Sequence, residues 1–390
     1  MSPAPRISGD WLSDPATQAV LGMLTRAGYH ALCVGGCVRN ALLGVPVADV
    51  DIATNALPQT VSDLAEIAGL RAVPTGIAHG TVTVVAGGRG YEVTTFRRDV
   101  ETDGRRARIA FSTDLHQDAA RRDFTMNALY ARADGALLDP IGGLEDLRAR
   151  RVRFVGQPEA RITEDYLRIL RFFRFVAQYG DPAQGLDAEA LAACAAHSAM
   201  LETLSRERIG AELRKLLAAP DPAPAVAAMA ASGVLGHILP GASAQALAVL
   251  VHLESSEPGP WLRRLAVLGG EDAADRLRLS RAESRDLSHI RDYIARNDAP
   301  AALGYRLKPA LAADVVLARA ALMQSPPPPD WQAQVARGAK ARFPLKPADL
   351  MPALAGPALG AALARAESHW LENGFAPDRE ALIEHALRPR

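Results

Sequence analysis

The sequence predicts an α+β head that ends near residue 155, followed by an all-helical remainder. Three observations carry this. Short β-branched or apolar runs bounded by Gly or Pro recur only before that point: Ala31-Leu-Cys-Val34, Val50-Asp-Ile-Ala53, Thr81-Val-Thr-Val-Val85 and Tyr91-Glu-Val-Thr-Thr-Phe96. After about residue 158 those runs fade, and Ala, Leu, Arg and Glu place apolar residues three and four apart. Proline clusters then punctuate the helical part, at Pro220-Asp-Pro-Ala-Pro224 and at Ser325 followed by Pro326 to Pro329. Within the head, 58–68 reads as a helix, and Gly87-Gly88 reads as a hairpin turn.

Charge alone names no partner, because 44 Lys+Arg balance 44 Asp+Glu. Distribution says more. Lys occurs only at 215, 308, 340 and 346, so the cations are nearly all Arg. Seven Arg fall between Arg97 and Arg122, and eight between Arg148 and Arg174. Guanidinium groups are the better bidentate donors to phosphates and base edges. Cys33, Cys37 and Cys194 suit a reducing compartment, and no second Cys or His pair stands at zinc spacing. No apolar run reaches membrane-spanning length and no signal peptide opens the chain, so the expectation is a soluble cytoplasmic protein with no membrane partner.

The strongest motif is Val34-Gly35-Gly36-Cys37-Val38-Arg39-Asn40-Ala41-Leu42-Leu43-Gly44, then Asp49-Val50-Asp51. A strand ends at Gly35-Gly36 and a short helix begins. Glycines let the backbone approach a ligand, and helix-start N–H groups point at anions, so a triphosphate fits that cradle. Asp49 and Asp51 stand two apart on a strand and share one face. Two such carboxylates repel unless a cation sits between them. Mg²⁺, with Mn²⁺ as the alternative, takes carboxylate oxygens together with substrate phosphates. Two ions held there activate a 3′-hydroxyl and stabilise leaving pyrophosphate. Glu92, on a later strand, is the candidate third carboxylate.

Arg121-Arg122-Asp123-Phe124-Thr125-Met126-Asn127-Ala128-Leu129 reads as helical, which puts Asp123 and Asn127 on one face. A carboxylate and an amide there can bond a ribose 2′-hydroxyl, while Arg121 and Arg122 reach phosphates. Asp139-Pro-Ile-Gly142-Gly143 is turn chemistry leading into a helix. In Arg161-Ile-Thr-Glu164-Asp165-Tyr-Leu-Arg168-Ile-Leu-Arg171-Phe-Phe-Arg174, Ile162, Tyr166, Ile169 and Phe173 form one apolar stripe, and Arg161, Asp165 and Arg168 a polar one. One reading of that polar stripe is an i,i+3 salt bridge on a wet helix. The other is a protein template. Cytosine offers N4 amino beside N3, and adenine N6 beside N1; a carboxylate and a guanidinium match both and leave uracil and guanine unpaired.

Together these motifs resemble the class II CCA-adding enzymes and poly(A) polymerases, within the DNA polymerase β-like nucleotidyltransferase superfamily. Arg206-Glu207-Arg208-Ile-Gly-Ala-Glu212-Leu-Arg-Lys-Leu217 is similar to that family's fifth motif, a neck helix. The resemblance implies a seahorse-like enzyme with a palm-like head built on a mixed sheet (1–155), helical neck (156–220), body (221–325) and tRNA-binding tail (326–390). It implies metal carboxylates at Asp49 and Asp51, and ribose contacts at Asp123 and Asn127 with Arg122 nearby. It implies a nucleotide template at Asp165 and Arg168; Gly35, Gly36, Arg39 and Arg171 complete the nucleotide-binding set. One departure is visible. The family usually has Asp after the Val-Arg of the first motif, and here it is Asn40.

The implied reaction is untemplated addition of CMP, CMP and AMP to the 3′ end of tRNA from CTP and ATP. Poly(A) addition, or A-only or CC-only addition, uses the same motifs. Thr75-Gly76-Ile-Ala-His79-Gly80-Thr81-Val82-Thr83 resembles the CCA-type sequence, and the basic tail common in bacterial poly(A) polymerases is missing. Residues 98–111 resemble the flexible loop that switches C to A, with Asp103, Gly104, Arg105 and Arg106 at its centre. His237, His252 and His289 stand apart and no His-Asp pair occurs, which argues against a fused phosphohydrolase. An inactive RNA-binding protein is the rival from another class; its expected mark is loss of Asp49 or Asp51, and both are present.

Overall fold

The computed structural model describes residues 5–103, 106–254 and 259–388. Among them are nine strands: β1 (Leu32–Val34), β2 (Asp51–Thr54), β3 (Arg71–Gly76), β4 (Thr81–Ala86), β5 (Arg89–Thr95), β6 (Arg97–Asp103), β7 (Arg106–Phe111), β8 (Tyr130–Ala131) and β9 (Leu137–Leu138). Seven form one sheet in the order β3-β4-β5-β2-β1-β8-β9, and β6 pairs with β7 alone. The sheet is mixed, as expected: β2 runs parallel to β5, and the other pairs are antiparallel. Gly87 and Gly88 sit at φ 56° and 77° and close the β4–β5 hairpin. That turn needs two left-handed residues, which glycine supplies without strain.

Alternation along β4 and β5 sorts the two faces. Val82, Val84, Tyr91 and Val93 are buried, and helices Pro15–Arg26 and Pro58–Ile67 pack on this part of the sheet. Asp51 and Glu92 lie on the other face, and nearby threonines pair across strands, Thr75 with Thr83 at 2.7 Å and Thr81 with Thr94 at 3.0 Å. Further along, Leu32, Val34, Ala53, Phe96, Ala119, Ala128 and Tyr130 form an apolar cluster.

Beyond the sheet every described element is a helix, as the sequence predicts. The first proline cluster separates Arg206–Leu217 from Ala223–Ala231, with Pro224 in the first turn of the latter, and the second falls between Pro309–Leu322 and Trp331–Lys340. By packing the chain divides into two units. One runs through Glu212 and takes in Ala231–Ile238; the other comprises Leu213–Ala230 and the chain from Leu239 onward. The second unit contains a fully buried guanidinium. Arg264 donates to the carbonyls of Leu217 (2.6 Å) and Ala219 (2.5 Å) and pairs with Glu254 at 2.8 Å. Its C-terminal helices, Gly356–Glu372 and Arg379–Leu387, close over Trp370, Leu371 and Leu382. No helix among the described residues is long and apolar enough to cross a membrane.

Two expectations change. The 98–111 segment, read as a flexible loop, has the backbone of an antiparallel hairpin, with Asp103 opposite Arg106. Gly104 and Arg105 lie outside the described residues. The stretch around Asp123 and Asn127 is not α-helical. The helix Leu115–Ala120 stops short of it, Phe124 is extended (φ −123°, ψ 147°), and Thr125–Asn127 is a single 3-10 turn. The cause is a competing partner: Asp123 O accepts from Val155 N at 3.0 Å, and Thr125 N donates to Arg153 O at 3.0 Å.

Candidate active site

β1 ends at Val34, and Gly35, with a φ of 71°, turns the chain into the helix Gly36–Leu43. A Cβ added at Gly35 would stand 3.6 Å from Arg122 Nη1, and one added at Gly36 would stand 3.7 Å from Arg39 Nη2. Two guanidinium groups therefore flank the glycine turn. On the neighbouring strands, Asp51 is the register partner of Glu92 across the parallel β2–β5 pair, so the two carboxylates share a face. Asp49 precedes β2 instead of lying on it, yet is near enough to act on Asp51. Burial pushes the Asp51 carboxyl up, and the charges of Glu92 and Asp49 push the same way, against Arg122.

Arg122 is anchored from behind. Its Nε donates to Tyr130 Oη at 3.0 Å and its Nη2 to Asp118 Oδ2 at 2.9 Å. Asp118 is 1% exposed and also accepts from Arg121 Nε (3.0 Å) and Tyr130 Oη (2.7 Å). Burial alone would raise the Asp118 carboxyl; Arg122, Arg121 and the Tyr130 hydroxyl overrule it and hold it below its ordinary value. Sequence reading missed Asp118 and Tyr130. A buried carboxylate three residues before Arg121 has no local signature.

Asp123 and Asn127 meet as expected, although through a 3-10 turn. Asn127 Nδ2 donates to Asp123 Oδ1 at 2.9 Å, and Phe124 N donates to the same oxygen at 2.8 Å. The other oxygen is chelated by Nε and Nη2 of Arg171. Burial pushes Asp123 up, but Arg171 and these hydrogen bonds leave its carboxyl below the usual range. Arg171 also lies 3.9 Å from Glu212, which binds Arg174 Nε at 2.6 Å. Arg39 completes the wall: Nη1 donates to Asn127 Oδ1, and Nη2 donates to Asn40 Oδ1 (2.9 Å) and Tyr179 Oη (2.8 Å). Its guanidinium stacks over Tyr179, 4.0 Å from the ring centroid. Tyr179 lies outside the motifs read from the sequence, whereas Arg174 and Glu212 lie within them without an assigned role.

The proposed template residues are not on one helix. Helix Pro158–Glu164 ends at Asp165, which is extended (φ −156°, ψ 105°), and Leu167–Tyr179 begins anew. Asp165 makes the break: Oδ1 accepts from Leu167 N at 3.1 Å, the geometry of a capping aspartate. The apolar stripe survives, with Ile162, Ile169 and Phe173 fully buried. The i,i+3 bridge does not form. Arg168 Nη1 binds Glu164 and the Arg161 carbonyl (2.8 Å), whereas Asp165 Oδ2 takes Arg208 Nη2 at 2.6 Å. Glu164 is the last residue of the first helix and Arg168 lies in the first turn of the second, so their ion pair spans the break.

Residues 31–153 match the family described as Poly A polymerase head domain, and 185–245 match that described as Probable RNA and SrmB-binding site of polymerase A. The structure superposes with a TM-score of 0.71 on the Bacillus stearothermophilus CCA-adding enzyme solved in complex with CTP, at 30% identity, covering 96% of this chain and 97% of that one. The chain belongs to the CCA-adding enzyme family. It is 41% identical over 257 residues to the CCA-adding enzyme of Geobacillus thermodenitrificans, covering 65% of this chain and 58% of that protein. It is 42% identical over 196 residues to the mitochondrial CCA tRNA nucleotidyltransferase 1 of Homo sapiens, covering 50% and 45%. The chain thus spans about half the length of the curated relatives it matches. Family and fold agree with the resemblance read from the motifs.

The Asp118 cluster yields a pH-dependent expectation. Asp118→Ala leaves two guanidinium groups and a phenol without their buried acceptor, at a cost of about 3–5 kcal/mol. The folded carboxyl is held below its unfolded value. Its contribution is therefore present above the ordinary carboxylate pKa near 4 and lost as pH falls through the folded value. Urea melts should show the penalty in full at pH 7 and a smaller one at pH 3. An equal penalty at both would contradict the charged reading of the cluster.

Proposed function

We propose that this chain adds CMP, CMP and AMP to the 3′ end of tRNA from CTP and ATP without a nucleic-acid template. The primer 3′-hydroxyl attacks the α-phosphate and pyrophosphate leaves. The observation that carries this is the juxtaposition of the Gly35–Gly36 turn, flanked by Arg39 and Arg122, with the Asp51–Glu92 face. The same reading puts the enzyme in the cytoplasm, with tRNA, CTP and ATP as its partners.

Among the described residues no three His, Cys, Asp or Glu side chains stand as a ready-made metal group. The carboxylates nonetheless fit one: Asp51 is raised by burial and by the charges of Glu92 and Asp49, and a cation relieves that repulsion. Asp49 and Asp51 would hold two Mg²⁺ or Mn²⁺ ions, with Glu92 adjacent. Bound there, the ions supply a more acidic 3′-hydroxyl and a counter-charge for pyrophosphate.

The protein's own groups bind and orient. Gly35 and Gly36 admit the triphosphate against backbone N–H groups, with Arg122 and Arg39 at its flanks. Asp123 and Asn127 hold the ribose, steadied by Arg171. Asp165 and Arg168 read the base. Arg168 keeps Nε and Nη2 unengaged among the described residues, and each Asp165 oxygen retains a lone pair. Together they match the amino group and ring nitrogen of cytosine and adenine. The β6–β7 hairpin, with Asp103 and Arg106 flanking its tip, is the element that shifts the template between C and A. In domain terms the head (1–155) carries the chemistry, the neck (156–220) the template and the tail (326–390) the tRNA, with the helical body (221–325) between neck and tail.

Two measurements test this reading. Asp51→Asn should slow transfer by about a thousandfold or more. The folded Asp51 carboxyl is raised, so its ionisation costs stability as pH rises through the shifted value; at pH 7 without divalent ions the variant should melt no lower than wild type. Mg²⁺ should raise the wild-type midpoint and leave the variant's unmoved. Near-normal turnover would contradict the assignment. For the template, Arg168→Ala should lower the ratio of C to U incorporation by roughly ten- to a hundredfold, measured as single-nucleotide kcat/KM on one trimmed tRNA. A variant that slows all four nucleotides equally would reduce Arg168 to a partner of Glu164.

A further inference from the structure

Among the described residues, Arg39 is a buried cation with no anionic partner. It is 6% exposed, and each of its hydrogen bonds ends on a neutral acceptor: Asn40 Oδ1, Asn127 Oδ1 and Tyr179 Oη. The remaining contacts are the ring faces of Tyr179 and Phe175, at 4.0 and 5.2 Å. The other guanidinium groups of the site are matched. Arg122 has Asp118, Arg168 has Glu164, Arg171 has Asp123, and Arg174 has Glu212. Asp123 acts on Arg39 only from a distance and is itself taken by Arg171, while Arg174 and Arg171 act on Arg39 with the opposite sign. Removing a charge from water without a counter-ion is expensive, and neutral acceptors and aromatic faces recover only part of it.

Residue 40 is what keeps the charge unmatched. The Asn40 amide accepts from Arg39 Nε (3.2 Å) and Nη2 (2.9 Å) with its oxygen, and donates to Pro46 O at 3.1 Å with its nitrogen. Both ends are used, so the amide orientation is fixed by its partners. An aspartate at 40 would accept from Arg39 as a charged pair and would have no proton for Pro46. Arg39 Nη2 lies 3.7 Å from where a Gly36 Cβ would stand, and Nη1, bonded once to Asn127 Oδ1, keeps a second N–H for an anion.

We propose that Asn40 holds Arg39 in place without neutralising it, so that the polyphosphate of the incoming nucleoside triphosphate becomes the counter-ion of a buried guanidinium. This rests on the reading of the Gly35–Gly36 turn as a nucleotide cradle. Asn40 is a positioning residue; Arg39 is the group that touches substrate.

The test is calorimetric titration of the full chain with inorganic tripolyphosphate, in EDTA and without tRNA. Asn40→Asp should weaken binding by about tenfold or more, the worth of one charge-assisted contact. Asn40→Ala removes the same hydrogen bonds but adds no charge, and should weaken it by about threefold or less. Arg39→Gln, which removes the cation itself, should match Asn40→Asp and provides the answer if Asn40→Asp does not fold, as judged by circular dichroism. Equal losses in Asn40→Asp and Asn40→Ala, full binding by Arg39→Gln, or no binding by wild type would overturn the proposal. The functional reading fails separately. A wild type that adds nothing to tRNA yet shows this ranking refutes CCA addition and keeps the inference; one that adds CCA without the ranking does the reverse.

Discussion

The Asp123 carboxylate is the constraint on which the rest of the site depends. One oxygen is chelated by Arg171 and the other takes Asn127 and its neighbour's N–H, while the Asp123 carbonyl receives Val155 N. A carboxylate this enclosed is tolerable only if both its oxygens are hydrogen-bonded. Those bonds join the 3-10 turn Thr125–Asn127, the helix Leu167–Tyr179 and, through Glu212, the helix Arg206–Leu217. Asn127 in turn presents its oxygen to Arg39. Residues far apart in sequence thus reach one site because charges taken out of water must find each other.

That dependence explains what the sequence could and could not disclose. Strands β1, β2, β4 and β5, the Gly87-Gly88 hairpin and the proline breaks are legible because their causes are local: alternation, a left-handed turn, a missing N–H. Strand β3 was passed over, since its Arg, Pro, Thr and Gly dilute the apolar pattern and its residues are half-buried or exposed. The helical reading of 121–129 followed spacing faithfully, and lost to partners in 153–155 that spacing cannot see. The break at Asp165 was hidden the same way, because the apolar stripe continues across it.

Among the site residues, types and positions were legible and partners were not. Asp51 and Glu92 were named from sequence, and the parallel register sets them side by side. Asp165 and Arg168 were also named, but each pairs elsewhere, with Arg208 and Glu164. Asp118 and Tyr130 went unnoticed because nothing about a buried carboxylate or phenol marks it in one sequence. A net charge of zero concealed the arrangement as well. The chain sets repelling carboxylates on strands beside the glycine turn and, among the described residues, a guanidinium hydrogen-bonded only to neutral acceptors, the charge pattern on which the proposed triphosphate site rests.

The most direct test of the account is incubation of the purified chain with tRNA trimmed of its 3′-terminal CCA, supplying all four nucleoside triphosphates and labelling each in turn. The account predicts growth by two C and then one A, after which extension stops, with U and G left out. An extended A tract, addition of C alone or A alone to the trimmed end, or no addition by a protein that still binds the tRNA would contradict it.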